Sequence, residues 1–237
     1  MTKGNIFLIP TYLSETNDKR FISPMVTDII QNLNQFLVEN VRTARRFISS
    51  LNLNIDIETL QFEVIDKNTS MIQVHQIMKK YQNQDMGLLS EAGLPCLADP
   101  GNLAVAFAHQ HQMKIISLPG ASAIQSAIMC SGFNGQQFVF HGYAPIQKDD
   151  LVRFIKNIVS DLQKNGYTQA FMETPYRNMK LLESLIQYLP GNTLLSISAD
   201  ISGENEMIET KTIKEWSKNM INIHKVPAVF CIGNFPE

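Results

Sequence analysis

Apolar residues in this chain fall into short runs of four or five, separated by stretches where they recur every third or fourth position. The first pattern is that of buried strands, the second that of helices packed along one face. Residues 6–9, 35–39, 61–65, 86–90 and 113–118 read as strands, as do 137–141, 169–172, 193–199 and 228–232. Ser23 and Pro24 open a helix carrying Val26, Ile29, Ile30 and Leu33, with proline at the first helical position. Asn40 caps a helix over residues 41–51, with Val41, Ala44, Phe47, Ile48 and Leu51 on one side. Asn68-Thr69-Ser70 starts another, carrying Ile72, Ile77 and Met78, and Leu103, Ala106 and Phe107 mark a short one. Residues 121–130 form a small-residue helix, and Leu151, Phe154, Ile155, Ile158 and Leu162 make a clean helical stripe. A helix with Pro175 at its start carries Met179, Leu182, Leu185, Ile186 and Leu189, and Ile213 and Trp216 belong to a last short one. Residues 13–21 and 52–59 read as loops.

Alternating strands and helices predict parallel strands with right-handed crossovers. The alternation restarts after Pro119, so the expected architecture is α/β, in two successive domains, 1–118 and 119–237. Two loops interrupt the central stretch. One runs from Ser90-Glu91-Ala92-Gly93-Leu94-Pro95 through Asp99-Pro100-Gly101, the other is Leu118-Pro119-Gly120-Ala121-Ser122-Ala123. Each follows a strand and precedes a helix, and small residues leave the backbone open to a ligand. Strand-end loops of this kind are where α/β proteins bind small molecules. A larger side chain at Gly120 is expected to fill the ligand's space.

Composition narrows the function. The 237 residues are 44% hydrophobic, enough for one large or two small cores. A net charge of −2 argues against coating nucleic acid by bulk charge, but not against a local basic patch. Arg42, Arg45 and Arg46 form such a patch at i, i+3, i+4 of one helix. The three cysteines show no C-x-x-C, and His109-x-His111 points to two faces of a helix, so no metal is expected. No apolar run suits a membrane span and no signal segment is seen, which predicts a cytoplasmic protein. The G-x-G-x-x-G, G-x-x-x-x-G-K-[ST] and G-x-S-x-G fingerprints are missing, which argues against nicotinamide, phosphoryl-transfer and acyl-transfer chemistry.

The chain resembles the tetrapyrrole methylase superfamily of S-adenosylmethionine-dependent methyltransferases. Within it, the resemblance is strongest to the bacterial enzymes that methylate a cytidine ribose 2′-oxygen in small-subunit ribosomal RNA. The family's S-D-A-G-x-P-x-x-x-D-P-G loop is matched by residues 90–101, and its P-L-P-G-x-x-A turn by residues 117–123. Its A-E-D-T-R-x-T-R-x-L segment is matched loosely by residues 38–47, its E-S-P-x-R segment by Glu173-Thr174-Pro175-Tyr176-Arg177, and its A-R-E-L-T-K segment weakly by residues 198–203. Three departures stand out: Tyr12-Leu13-Ser14-Glu15 replaces a glycine-containing turn, Glu91 an aspartate, and Ala199 an arginine.

The resemblance implies two α/β domains with the cofactor in the cleft between them, and a homodimer. It implies that Ile9 and Pro10 border the cofactor and that Glu91, Ala92, Gly93, Leu94 and Pro95 line its methionine end. Gly120, Ala121, Ser122 and Ala123 contact it through backbone groups, and Met172, Ile201 and Ala228 form its adenine wall. Arg42, Arg45, Arg46 and Arg177 are the expected contacts to the substrate RNA. A base for the acceptor hydroxyl is sought among Glu39, Glu173 and His141, with Glu39 alternatively paired to Arg42 and His141 alternatively structural. RNA methylation leads. Methylation of a small molecule such as a tetrapyrrole, and an RNA- or ribosome-binding paralogue without catalysis, stay open, because a fold does not determine its substrate.

Overall fold

The computed structural model describes residues 3–14 and 19–236. The chain divides into two compact units, Met1–Ser122 and Ala123–Glu237. The division falls four residues beyond the expected 118/119 boundary, because the turn after the last strand of unit 1 packs with that unit.

Unit 1 holds five strands: β1 (Asn5–Ile9), β2 (Gln35–Val38), β3 (Gln61–Val64), β4 (Met86–Leu89) and β5 (Lys114–Ser117). They form one parallel sheet in the order β3-β2-β4-β1-β5. The central strands β2 and β4 are buried throughout, which is why they read as unbroken apolar runs. Period-two alternation splits them between two cores. Phe36, Val38 and Leu89 pack with Val26 and Ile30 of α1 (Pro24–Gln31) and with Ala44, Phe47 and Ile48 of α2 (Val41–Ser50). Leu37, Met86 and Leu88 pack with Val74 and Met78 of α3 (Met71–Tyr81) and with Ala104 and Phe107 of α4 (Asn102–Gln110). Two helices therefore cover each face.

The caps follow the chemistry of their residues. Asn40 accepts the backbone N–H groups of Arg42 at 2.9 Å and Thr43 at 3.3 Å. Ser70 and Gln73 form a capping box. Ser23 differs from expectation: its buried hydroxyl is unpartnered, and its carbonyl takes the Val26 N–H at 3.0 Å instead. Lys19–Phe21 is a short 3-10 turn, while residues 15–18 of the expected loop, Glu15 included, lie outside the described residues.

Unit 2 corrects the expectation of parallel strands. It contains α5 (Ala123–Cys130), β6 (Phe138–Tyr143), α6 (Lys148–Asn165), β7 (Thr168–Met172), α7 (Asn178–Tyr188), β8 (Leu194–Ala199), β9 (Met207–Thr212), α8 (Ile213–Lys218) and β10 (Ala228–Gly233). The sheet order is β6-β7-β10-β8-β9, and only the β6–β7 pair is parallel. The α7 crossover makes β7 and β8 run the same way, and β10 then inserts between them in the opposite sense. Helix-strand alternation determines the direction of strands joined by a crossover and says nothing about a later strand entering between them. The β9 strand was not foreseen, because its middle residues Glu209, Thr210 and Lys211 mask the apolar signal. The core of unit 2 lies under α6, α7 and α8. Trp216 is fully buried there and donates Nε1–H to the Leu195 carbonyl at 2.9 Å. Among the described residues no helix is long and apolar enough to cross a membrane.

Candidate functional site

Three loops of unit 1 meet at the C-terminal edge of its sheet, because β1 lies between β4 and β5. The chain leaves β1 toward α1 on one face and β4 toward α4 on the other, the arrangement that opens a crevice in an α/β sheet. The loops after β1 and β4 are tied by two backbone bonds, Thr11 N–H to Gly93 O at 2.9 Å and Gly93 N–H to Tyr12 O at 3.3 Å. Gly93 has φ +77°, and a Cβ there would lie 2.7 Å from Leu13 Cδ2 and 3.1 Å from the Ala121 carbonyl oxygen. At Gly120 a Cβ would lie 2.2 Å from Pro10 Cβ. These glycines let the loops touch one another. The expectation that Gly120 leaves room for a ligand is thereby changed, since its space is taken by Pro10.

The β4 loop is held from within by Asp99. Its Oδ1 accepts the Cys96 N–H at 2.8 Å and the Gly101 N–H at 2.9 Å. Cys96 and Ala98 have φ +66° and +65°, a left-handed conformation that costs non-glycine residues free energy and clusters at functional sites. The Cys96 thiol is pushed up to about 12 by burial and then by Asp99, which leaves it inert at neutral pH.

Three carboxyl groups converge beside this loop. Glu39 follows β2, Glu91 follows β4, and both Asp99 and Glu91 act on the Glu39 carboxyl. Glu91 is exposed and accepts the Thr43 hydroxyl at 3.2 Å from the first turn of α2. The Glu39 carboxyl is raised to about 7, first by burial and then by the charge of Asp99; the Glu91 N–H donates to it and opposes the rise. Glu39 also shares a side-chain hydrogen bond with Asp99, which only a protonated carboxyl can donate. Glu39 thus sits among carboxylates, which fits poorly with the ion pair to Arg42 weighed from sequence.

The three arginines of α2 are not equivalent. Arg45 donates to Glu58 at 3.0 Å and lies over the Phe62 ring at 5.6 Å, whereas Arg42 and Arg46 are exposed. Arg177, in unit 2, pairs with the buried Glu173, which also accepts the Thr174 N–H at 2.6 Å. Glu173 therefore has its oxygens engaged. His141 donates Nε2–H to Gln169 Oε1 at 2.7 Å and packs edge-on against Phe154, a structural arrangement.

Met172, Ile201 and Ala228 gather at one end of the second sheet, where the Asp200 N–H bonds to the Pro227 carbonyl at 3.0 Å. They do not share a face. Met172 is opposite Val229 in the ladder, while Ala228 is opposite Ala199 and packs into the helix-covered core. Val229 and Ser198 stand beside Met172. Strand alternation across residues 228–232 could have revealed this, since neighbours in a strand point to opposite sides. Asp99 and Thr43 were missed because their roles depend on contacts between loops distant in sequence. Among the described residues there is no group of three or more His, Cys, Asp or Glu able to hold a metal ion.

A family model of tetrapyrrole (corrin/porphyrin) methylases matches residues 27–216. The chain belongs to this family. As a tetrapyrrole methylase it is a methyltransferase, and the matched segment contains the β4 and β5 loops but not the β1 loop that packs on them. The methylase is 22% identical over 238 residues to the ribosomal RNA small subunit methyltransferase I of Buchnera aphidicola subsp. Acyrthosiphon pisum, covering 99% of this chain and 80% of that protein. It is 27% identical over 203 residues to the protein of the same name from Helicobacter pylori strain J99, covering 81% and 69%. The crystal structure of uroporphyrin-III C-methyl transferase from Thermus thermophilus, complexed with S-adenyl homocysteine, aligns over 98% of each chain with a TM-score of 0.56 and 13% identity. That likeness is one of fold.

Proposed function

We propose that this methylase uses S-adenosylmethionine to methylate a ribose 2′-hydroxyl of small-subunit ribosomal RNA. The observation that carries the reading is the union of the β1, β4 and β5 loops at the C-terminal edge of the unit 1 sheet, with Glu91 exposed beside them. Such a site fits a zwitterionic sulfonium compound: Glu91 faces its ammonium group, and the backbone from Ala92 to Pro95 and from Gly120 to Ala123 lies against its polar atoms. Ile9 and Pro10 border it. When bound, the cofactor supplies an electrophilic methyl group on sulfur.

The chain's own residues supply the rest. Holding two reactants in register accounts for much of the acceleration of such a transfer. A proton must leave the acceptor hydroxyl, and a base works best with a pKa near the working pH. Glu39, raised to about 7, meets that requirement, while Glu173 and His141 are committed to structural partners. Arg42 and Arg46 meet RNA phosphates. The names of the relatives support RNA as the acceptor, and the reading includes a cytoplasmic homodimer, as the family resemblance implies.

Two measurements test this. Titration calorimetry with S-adenosylmethionine is expected to give one site per chain in the micromolar range, roughly −8 kcal/mol. Glu91→Asp keeps that affinity, and Glu91→Lys loses at least about tenfold, because a like charge replaces an attraction in a partly desolvated place. Equal affinity in wild type and Glu91→Lys removes Glu91 from the site. Transfer of labelled methyl to small-subunit RNA, set against a panel of tetrapyrroles, then decides the acceptor; labelling of a tetrapyrrole alone overturns the RNA reading.

The arginines make a separate prediction. Each phosphate contact releases counterions, so RNA affinity falls steeply with salt. The double variant Arg42→Ala/Arg46→Ala is expected to flatten the salt slope by about one to two units while leaving cofactor affinity unchanged. An unchanged slope marks the patch as ordinary helix surface.

A further inference from the structure

Tyr176 is an exposed aromatic on a constrained backbone. Its side chain is 71% exposed, and it lies in the 3-10 turn Pro175–Arg177 between β7 and α7. Pro175 restricts φ on one side of it. The Pro175 carbonyl accepts the Lys225 N–H at 3.0 Å, and the Arg177 N–H closes onto Thr174 O at 2.9 Å. Asn178, fully buried, donates Nδ2–H to the Val226 carbonyl at 2.6 Å. The turn and the segment before β10 are thus clamped together beneath the ring.

Among the described residues four rings carry a cation over them: Phe62, Tyr81, Trp216 and Tyr176. Phe62 is half-buried and Tyr81 and Trp216 are buried, so their cations close the edges of cores. Tyr176 alone of the four is open to solvent, with Lys225 Nζ 5.9 Å from its centroid. Lys225 has φ +62°, a conformation uncommon for non-glycine residues, and its N–H bond to the Pro175 carbonyl ties it to the turn. The Lys225 backbone is thus held beside the turn, within side-chain reach of the ring.

An unpaired RNA base needs a flat π surface to stack on and a cation for the phosphate beside it. We propose that Tyr176 is a stacking platform for an unpaired base of the acceptor RNA and that Lys225 meets the adjoining phosphate. The proposal rests on the RNA reading above and adds a contact in unit 2 which that reading does not use. With a net charge of −2 the chain has no bulk attraction for RNA, so fixed local pairs of ring and cation carry more of the binding. Stacking is tolerant of base identity, so the platform would contribute affinity and register rather than sequence choice.

The test is RNA binding by the full chain, followed by anisotropy of a fluorescein-labelled, single-stranded fragment of small-subunit ribosomal RNA across a salt series. Tyr176→Ala is expected to weaken binding by roughly fivefold or more with the salt slope unchanged, and Tyr176→Phe to bind as wild type does. Lys225→Ala lowers the slope by about one unit. All three variants keep wild-type cofactor affinity. If wild type binds and methylates the RNA and Tyr176→Ala does both equally well, the stacking proposal falls and the RNA reading stands. If wild type binds no RNA at all, both fall.

Discussion

Glu39→Gln is expected to lower the rate of methyl transfer by about 100- to 10,000-fold, the usual contribution of a positioned general base. Glutamine keeps the size and polarity of the side chain and removes only its ability to take a proton. Cofactor affinity should change little, because the glutamine carbonyl can still accept the Glu91 N–H that ties Glu39 to the β4 loop. The pH dependence gives an independent reading. The Glu39 carboxyl is raised to about 7 in the folded protein from an ordinary value of 4.5. A base must be ionised, so wild-type activity should climb as pH rises through about 7.

Stability should move the other way. Between those two values the folded state binds more protons than the unfolded state, so stability falls as pH rises. The stabilisation tied to the Glu39 proton is complete below the unfolded pKa and is lost as pH passes the folded one. Denaturant unfolding between pH 4 and 8 should show this decline in wild type and a flatter profile in Glu39→Gln. A variant that keeps both the wild-type rate and the wild-type acid limb would falsify the assignment of Glu39 as the base.

Gly120→Val is expected to cost about 1–3 kcal/mol of stability, as overpacking does, and to slow methyl transfer by about 100-fold through displacement of the binding loops. A Cβ at Gly120 would lie 2.2 Å from Pro10 Cβ and 2.5 Å from Pro10 Cγ, so the loops after β1 and β5 must separate to admit valine. That separation moves Ala121, whose carbonyl lies close to Gly93 in the β4 loop. All three loops are therefore disturbed by one substitution, without any direct clash with a ligand. Gly120→Ala should act in the same direction and less strongly. Gly135→Ala is the control, because a Cβ there has nothing within 4 Å. Chemical unfolding and the transfer assay measure both effects. Full transfer activity in Gly120→Val would show that the loop contact is dispensable.

Much of this protein is legible from local residue order. The runs of buried strand, the stripes of α1, α2, α6 and α7, the Asn40 cap and the two central loops all depend on neighbours within a few positions, where hydrophobic period and turn chemistry act. The two loops are contiguous motifs, and for that reason the family could be recognised and the methyltransferase activity anticipated. Long-range pairing settled the remainder. Only the ladder placed β10 between β7 and β8, and so turned Ala228 into the core while Val229 took the side of Met172. Only the meeting of loops some fifty residues apart put Glu39, Glu91 and Asp99 together and raised one carboxyl to a value near 7. The charge of a carboxylate is felt over a few ångströms whatever its place in the chain. Arg45, Arg177, Glu173 and His141 read alike as candidates in the sequence, and each was given a partner by the fold: Glu58, Glu173, Arg177 and Gln169. Residue order determined which chemical groups are present and which local shapes they adopt. Which of those groups remain open to a reactant was decided by tertiary contact, because a side chain's solvation and hydrogen bonds depend on what the rest of the chain brings to it.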